Sequence, residues 1–211
     1  MSVDTLLRQA VQAGSIDGIL SAVRQGANVN ARDEGGETAL TYATSRELEA
    51  ERAASCVRCL LSLGARVSEE RPGGGLGTSV HGAAGCGYTE ALKELLSVDA
   101  RVSFNSFDDM SRTPLICAVQ NGHLAEATLL LDAGADVNAH EAEKVGDTAL
   151  SHAVQSGSLR MVQLLLKHHA DPTITGWMQL SALDRARDAA ANDTAPESRR
   201  ISELLNEAAK R

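Results

Sequence analysis

The sequence has few aromatic side chains, a shortage of positive charge and no long apolar run. Aromatic residues make up 2% of the 211 positions, so a core must be filled by aliphatic side chains. The apolar fraction of 43% supplies enough of them, and small aliphatic side chains suit closely stacked helices. No apolar run reaches the roughly 18 residues of a membrane-spanning helix, which argues against a membrane span.

Lysine and arginine together number 20 against 28 aspartates and glutamates, giving a formal net charge of −8. This balance argues against nucleic acid or an anionic membrane surface as a partner, since both repel an acidic protein. The N-terminus, MSVDTLLRQAVQ, lacks the basic and apolar regions of a signal peptide. We therefore expect the four cysteines to stay reduced and the protein to be cytoplasmic.

The stretch TPLICAVQNGHLAEATLLLDAGADVNA, residues 113–139, contains two short helical patterns. Thr113 is a suitable N-cap, and Pro114 stands at the first helical position, where its missing N–H would have no partner anyway. Gly122 and Gly134 follow the two helices and suit the left-handed backbone of helix ends. Helices of about two turns are marginal alone in water, so this stretch needs neighbours of its own kind.

The pattern recurs along the chain, with its leading threonine or serine at Thr5, Thr38, Thr78, Thr113, Thr148 and Ser181. A closing Gly/Asp-Ala-x-Val sequence begins at Gly26, Gly64, Asp99 and Gly134, and a degraded copy begins at His169. A period near 33 residues predicts a helical solenoid. The chain resembles the ankyrin-repeat family over nearly its whole length.

The resemblance implies an all-α solenoid of stacked helix-turn-helix units with β-hairpin or loop fingers. We expect a single domain over residues 1–211 with about six repeats, including divergent caps at both ends. The repeats fall at approximately 3–32, 33–70, 73–105, 108–140, 143–175 and 176–211. Fold alone says little about function.

Repeat two departs from the pattern by inserting about five residues within 45–53. We expect the insert to extend one or both helices into solvent, either as a solvated protrusion or as a docking element. The glycine-rich segment 69–77 lacks the Lys-Ser/Thr pair of a phosphate-binding loop, so a mobile hairpin tip is the better interpretation.

The sequence offers little catalytic chemistry. Cys56 and Cys59 have the spacing of a metal or redox motif, but both occupy apolar positions of a second helix and no further pair completes a zinc site. His81 matches the family's histidine, which hydrogen-bonds within the loop layer and holds repeats in register. We expect no enzymatic activity, no metal and no cofactor.

The remaining functional interpretation is that the protein binds a partner through its surface. In the ankyrin family the finger tips and first helices line a concave groove that holds a protein partner. Carried onto this sequence, the predicted contact residues are Asp33, Glu34, Glu37, Arg71, Leu76, Asp109, Met110, Arg112, Gln120, Asn121, Lys144, Val145, Asp147, Gln155, Trp177 and Met178. The acids among the finger residues predict a partner with a basic or mixed patch.

The function implied is a non-enzymatic protein-protein interaction scaffold or adaptor, expected to be a monomer. Two alternatives stay open: an inhibitor or immunity-type protein that occludes an enzyme or toxin, and a self-associating structural protein. Trp177 is either an exposed anchor for a partner or a side chain packed under the C-terminal cap. Phe104 and Phe107 are expected to be packed.

Overall fold

The computed structural model describes residues 2–45, 47–67, 77–98, 104–141, 146–192 and 195–210. Within them the chain forms the helices α1 Val3–Gln12, α2 Ile16–Arg24, α3 Ala39–Ala43, α4 Ala50–Ser62, α5 Ser79–Cys86, α6 Thr89–Ser97, α7 Pro114–Gln120, α8 Leu124–Asp132, α9 Ala149–Gln155, α10 Leu159–Lys167, α11 Ala182–Asn192 and α12 Pro196–Ala208. A 3-10 turn covers Trp177–Gln179. These described residues include no extended strand, and an isolated bridge joins Thr175 to Ser181.

The helices stack as two parallel layers of neighbours. Each first helix packs against its own second helix and against the first helix of the next repeat, from α1 through α3, α5, α7 and α9 to α11. The second helices pack in the same order, from α2 to α12. This arrangement confirms the predicted solenoid of helix pairs. No helix in the described ranges is long and apolar enough to cross a membrane.

Threonine caps start α7 and α9 as the sequence predicts, whereas α1 begins before the leading Thr5 and has Ser2 as its N-cap. The Thr113 and Thr148 hydroxyl oxygens accept hydrogen bonds from the backbone N–H groups of Ile116 and Ser151, at 3.3 and 3.2 Å. Pro114 stands at the beginning of α7. Gly87 ends α5 in the left-handed conformation, with φ of 74°. Local sequence therefore defines where the short helices begin and end.

The core is aliphatic, as the shortage of aromatic residues requires. Leu60, Leu95, Leu130 and Leu165 occupy equivalent positions of successive second helices and are fully buried. Phe104 is buried as predicted, with 5% of its surface exposed. Because each leucine packs between neighbouring repeats, burial of apolar surface holds the stack together.

Asparagine side chains fix the register between repeats. The Asn30 side chain donates to the Gly64 carbonyl at 3.0 Å and accepts from the Arg66 N–H at 2.9 Å. Asn138, at the end of repeat four, accepts from the Asp171 N–H at 2.8 Å in the same way. Each bond joins the end of one repeat to the end of the next, so the layers cannot slide past each other without losing them.

Repeat two extends its second helix, as predicted, since α4 has 13 residues. Its first helix α3 has only five. The connecting segment is pinned to the next repeat, because the Tyr88 hydroxyl donates to the Ser45 carbonyl at 3.1 Å and also to the Leu48 carbonyl. Leu48 is buried. The insert is therefore partly anchored rather than a wholly solvated protrusion.

The predicted glycine-rich tip, residues 69–77, lies outside the described residues apart from Gly77.

Candidate protein-binding groove

Three described fingers share one backbone geometry. In fingers 33–37, 108–112 and 176–180 the N–H of the first residue donates to the carbonyl of the fifth, at 2.9 to 3.0 Å. Asp33 and Asp108 begin the first two fingers, and each accepts two backbone N–H groups of its own finger on Oδ1 at 2.9 Å. Such aspartate-centred turns need no strand on either side. The fingers are therefore closed loops.

Finger 176–180 has glycine at the position where the other fingers have aspartate. The acceptor for this finger's backbone comes instead from Asp147, whose Oδ1 accepts the Trp177 N–H at 3.1 Å. A Cβ atom at Gly176 would lie 2.3 Å from that same oxygen. Arg185 of α11 completes the support by donating to Asp147 Oδ1 at 2.9 Å and to the Trp177 carbonyl at 3.2 Å. The finger is thus held from both sides.

Large hydrophobic side chains stand on the finger tips. Met110, Trp177 and Met178 have 64%, 60% and 63% of their surface exposed. They are three of the four large hydrophobic side chains that are exposed in the described ranges; the fourth, Val98, follows α6. Trp177 is therefore an exposed side chain and does not pack under the C-terminal cap.

Two acidic side chains near the fingers, Asp108 and the predicted contact Asp147, are already paired within the protein. The Arg112 guanidinium donates to Asp108 Oδ2 at 2.9 and 2.7 Å. Burial opposes ionisation of Asp108, but its hydrogen bonds with Arg112 hold the pKa of this carboxyl below its ordinary value. Asp147 is held by Arg185, and the two side chains are only 11% and 14% exposed. The expectation that these finger acids present open negative charge to a partner is corrected accordingly.

The side chains of the other predicted contact residues differ in how exposed they are. Glu37 is 6% exposed, so its side chain does not face a partner, and this prediction is corrected. Asp33 is half-buried and accepts the Tyr42 hydroxyl at 2.5 Å. The remaining described ones are exposed along the fingers and the ends of α7 and α9: Glu34, Asp109, Gln120, Asn121 and Gln155. Four predicted contacts lie outside the described residues: Arg71, Leu76, Lys144 and Val145.

Two cavities open beside these fingers. The first, of about 450 Å³, lies between fingers 108–112 and 176–180 and is lined by Met110, Gln120, Asp147, His152 and Trp177, among others. The second, of about 430 Å³, lies over α3 and α5 and reaches Met110. A larger cavity of about 710 Å³ lies between α10 and α12 and contains none of the predicted groove residues. The groove-side cavities are the ones that adjoin the exposed hydrophobic tips.

The cysteine pair of α4 has no metal-site surroundings. Cys56 is fully buried and Cys59 is half-buried, and burial raises the pKa of both thiols. Within the described ranges no cluster of three or more histidine, cysteine, aspartate or glutamate side chains is placed to hold a metal. Cys56 therefore serves as a small core side chain.

His81 ties helix α5 to the next finger. Its Nδ1 accepts the Thr78 N–H at 3.1 Å, so Nε2 carries the proton and donates to the carbonyls of Ser106 and Arg112 at 3.0 and 3.1 Å. The predicted structural role of this histidine is confirmed. Burial lowers the pKa of His81, although the nearby Asp108 carboxylate partly opposes the shift.

This burial makes stability depend on pH. Since the folded-state pKa of His81 lies below the ordinary value of 6.5, the unfolded chain binds the proton more readily. Stability is then highest above that value and falls as the pH drops below it. Burial shifts the pKa of His152 in the same direction. The lowered pKa values of Asp33, Asp108 and Asp184 act only in more acidic solution, where stability is lost as those carboxylates protonate.

We expect urea unfolding at about pH 7.5 and about pH 5.5 to show a lower free energy of unfolding at the acidic value. His81→Gln, which cannot titrate, should be less stable than wild type at neutral pH but should lose less on acidification. An equal loss in both proteins would show that His81 does not cause the pH dependence.

Comparison with known proteins supports this architecture. A family model described as ankyrin repeats (three copies) matches residues 48–141 and 80–176, more than half of the chain. An ankyrin repeat domain from Acinetobacter baumannii AYE has a TM-score of 0.78 at 28% identity, with 96% of each chain covered. The human ASB11 ankyrin repeat domain has a TM-score of 0.72 at 23% identity, covering 96% of this chain and 81% of that one.

A rice protein, Oryza sativa subsp. japonica "Probable E3 ubiquitin-protein ligase XBOS34", is 36% identical over 123 residues. The match covers 58% of this chain but only 23% of the rice protein. The similarity is therefore one of repeats, and the ligase activity in that name belongs to the rice protein.

Proposed function

Because the chain belongs to the ankyrin-repeat family, whose fold is a general protein-protein interaction module, we propose that it is a non-enzymatic scaffold that binds a protein partner. Its finger tips and concave groove form the binding surface. The observation that carries this proposal is the exposure of Met110, Trp177 and Met178 on the finger tips. Exposed large apolar side chains grouped on one surface mark interaction sites.

The fingers suit this role because they are already ordered. Asp147 and Arg185 hold the backbone of Trp177, and Asp108 holds the backbone of Met110. A partner that covers these side chains therefore pays little entropy for ordering the loops. Tryptophan is also the residue type most often found to dominate binding energy at protein interfaces.

Charge around these anchors favours a partner with an apolar centre and basic groups at its margin. The ion pairs Asp108–Arg112 and Asp147–Arg185 leave the cavity between the fingers nearly neutral. Glu34 and Asp109 are exposed at the tips of the two acidic fingers. Rim carboxylates of this kind chiefly raise the association rate and the discrimination between partners.

The test is capture of the partner from native cell lysate, followed by affinity measurements on the purified complex. Trp177→Ala should weaken binding about 30-fold, as loss of about 2 kcal/mol at a hot spot does, and should leave the unfolding transition unchanged. Val98→Ala is the matched control, because it removes an exposed hydrophobic side chain that lies off the fingers. Equal affinity of wild type and Trp177→Ala would contradict the proposal.

We propose that the chain works as a monomer, so sedimentation should show one species that does not change with protein concentration. Concentration-dependent assembly that Trp177→Ala abolishes would instead make a second copy of this chain the partner. Capture of an enzyme that loses activity in the complex would favour the inhibitor alternative. The cytoplasmic location and the single-domain boundaries 1–211 stay predictions.

A further inference from the structure

The cavity over α3 and α5 is opened by two glycines. We call it the Gly pocket and define it by Gly82 and Gly85 on α5, Tyr42 and Ser45 at the end of α3, and Met110 on the finger above. Its volume of about 430 Å³ is ample for the side chain of a partner residue. Tyr42 and Cys117 line the same cavity as the two glycines.

Neighbouring repeats fill these two positions with side chains. Counting from the capping threonine of each first helix, Gly82 corresponds to Tyr42, Cys117 and His152. By the same count, Gly85 corresponds to Ser45, Gln120 and Gln155. Repeat three is thus the place where these two rows of side chains are interrupted, and both glycines line the pocket.

Packing explains Gly82 but not Gly85. A Cβ atom at Gly82 would lie 2.6 Å from Thr44 Oγ1 and 2.8 Å from the Thr44 carbonyl oxygen, so α3 and α5 could not approach as they do. A Cβ atom at Gly85 would meet its nearest neighbour, Cys117 Cβ, at 3.5 Å, which is an ordinary contact. Gly85 is helical, so no special backbone conformation requires glycine there.

A helical glycine without a packing reason lowers stability relative to residues with a side chain. Because Gly85 has no side chain, it leaves space in the groove. A ligand that enters this space would restore the side-chain contacts that repeat three lacks.

The chemistry of the walls indicates what fits. Tyr42 presents a fixed ring, because its hydroxyl donates to Asp33, and this hydrogen bond raises the pKa of Tyr42 to about 12. Met110 adds an exposed flexible thioether. Both side chains suit the apolar stem of a long side chain.

The polar groups favour a positive head. Among the described residues, the charged side chains that line the Gly pocket are those of Arg112 and Glu47, and Asp108 neutralises Arg112. Within the described ranges no hydrogen bond or ion pair involves the Glu47 carboxylate, which is exposed. The Ser45 hydroxyl oxygen is buried without a hydrogen-bond partner in the same ranges, so it can turn to accept from an incoming donor.

We propose that the Gly pocket receives a basic side chain of the protein partner. The aliphatic stem lies against Tyr42 and Met110, and the cationic head binds the Glu47 carboxylate with help from the Ser45 hydroxyl. This inference rests on the proposed function and deepens it, since it adds a second recognition element to the apolar anchors on the fingers. It also gives the partner's expected basic patch a specific place to bind.

The test uses N-acetyl-lysine N-methylamide as the probe and isotope-labelled full chain observed by NMR. Titration in the millimolar range should shift the amide signals of Gly82 and Gly85 in a saturable way. The norleucine analogue, which keeps the stem and lacks the ammonium group, should bind at least several-fold more weakly. Glu47→Gln should weaken lysine binding, whereas Glu51→Gln, an exposed glutamate outside the pocket, should not.

Gly85→Gln fills the pocket with the residue that repeats four and five have at this position. Its melting temperature should rise by about 2–4 °C, as removal of a helical glycine predicts, while the lysine-induced shift at Gly82 disappears. A folded Gly85→Gln protein that binds the probe like wild type would overturn the proposal, as would equal binding of the norleucine analogue or no saturable shift at all.

Failure here is separable from failure of the proposed function. Trp177→Ala leaves the Gly pocket intact, so its response to the lysine probe should equal that of wild type. If Trp177→Ala loses the natural partner but Gly85→Gln binds it normally, the result supports the finger surface as the binding site and contradicts the Gly pocket proposal.

Discussion

Replacing Asp147 with alanine is expected to destabilise the folded chain by about 2–4 kcal/mol. The substitution leaves the Arg185 guanidinium in a largely buried site without its carboxylate, and the Trp177 N–H loses its acceptor. Removing one partner of a buried ion pair costs far more than the intact pair contributes, because the remaining charge stays desolvated. Urea unfolding followed by far-UV circular dichroism measures the loss.

Asp109→Ala is the control for this change, since Asp109 is an exposed aspartate on a finger tip. It should change the free energy of unfolding by no more than about 0.5 kcal/mol. The double variant Asp147→Ala/Arg185→Met should recover part of the loss, because no charge is then left buried. Equal stability of Asp147→Ala and wild type would show that the ion pair does not support finger 176–180.

Leu130→Ala is expected to cost about 2–5 kcal/mol. Leu130 lies in the middle of α8 with none of its surface exposed, and α8 packs against α6, α7 and α10. The cavity left by the lost carbon atoms can close only if three helices shift, and the asparagine bonds between repeats resist such a shift. Chemical unfolding gives the magnitude directly.

Leu129→Ala serves as the matched variant on the same helix, since Leu129 is only half-buried. Its loss should be clearly smaller than that of Leu130→Ala. If the two variants lose equal amounts, or if Leu130→Ala loses almost nothing, the register that places every second-helix leucine of this row in the core is wrong.

Local sequence was sufficient to predict the helices. Thr113 and Pro114 define the start of α7 through a cap and a missing N–H, and neither effect depends on distant residues. The 33-residue spacing then predicts how the pairs stack, because equivalent apolar faces must meet. Hydrophobic pattern and capping thus account for the core and for most helix ends.

The charges of the groove could not be predicted in this way. Asp147 and Arg185 are 38 residues apart in sequence, and they meet only because adjacent repeats bring finger 176–180 and α11 beside the preceding finger. Composition showed the acids but not their partners, so an open acidic surface was expected where ion pairs are found. Glu37 is likewise buried, which the acidic composition of the finger does not predict.

The Gly pocket and the anchored insert depend on packing between helices. The sequence shows glycine at position 85, but only the distance from its Cβ position to Cys117 reveals that packing does not require it. Tyr88 likewise reaches back about 40 residues to two carbonyls of the segment that connects α3 to α4. Contacts between residues so far apart in sequence depend on how closely neighbouring helices pack, and composition and repeat spacing do not specify that distance.

Amide hydrogen exchange of the chain, alone and in complex with the partner it captures, tests the central claim most directly. Binding through the groove predicts slower exchange in fingers 33–37, 108–112 and 176–180 and in α5. Protection confined to the second helices α4, α6, α8 and α10, with unchanged exchange in the fingers, would place the partner on the opposite layer and contradict the account.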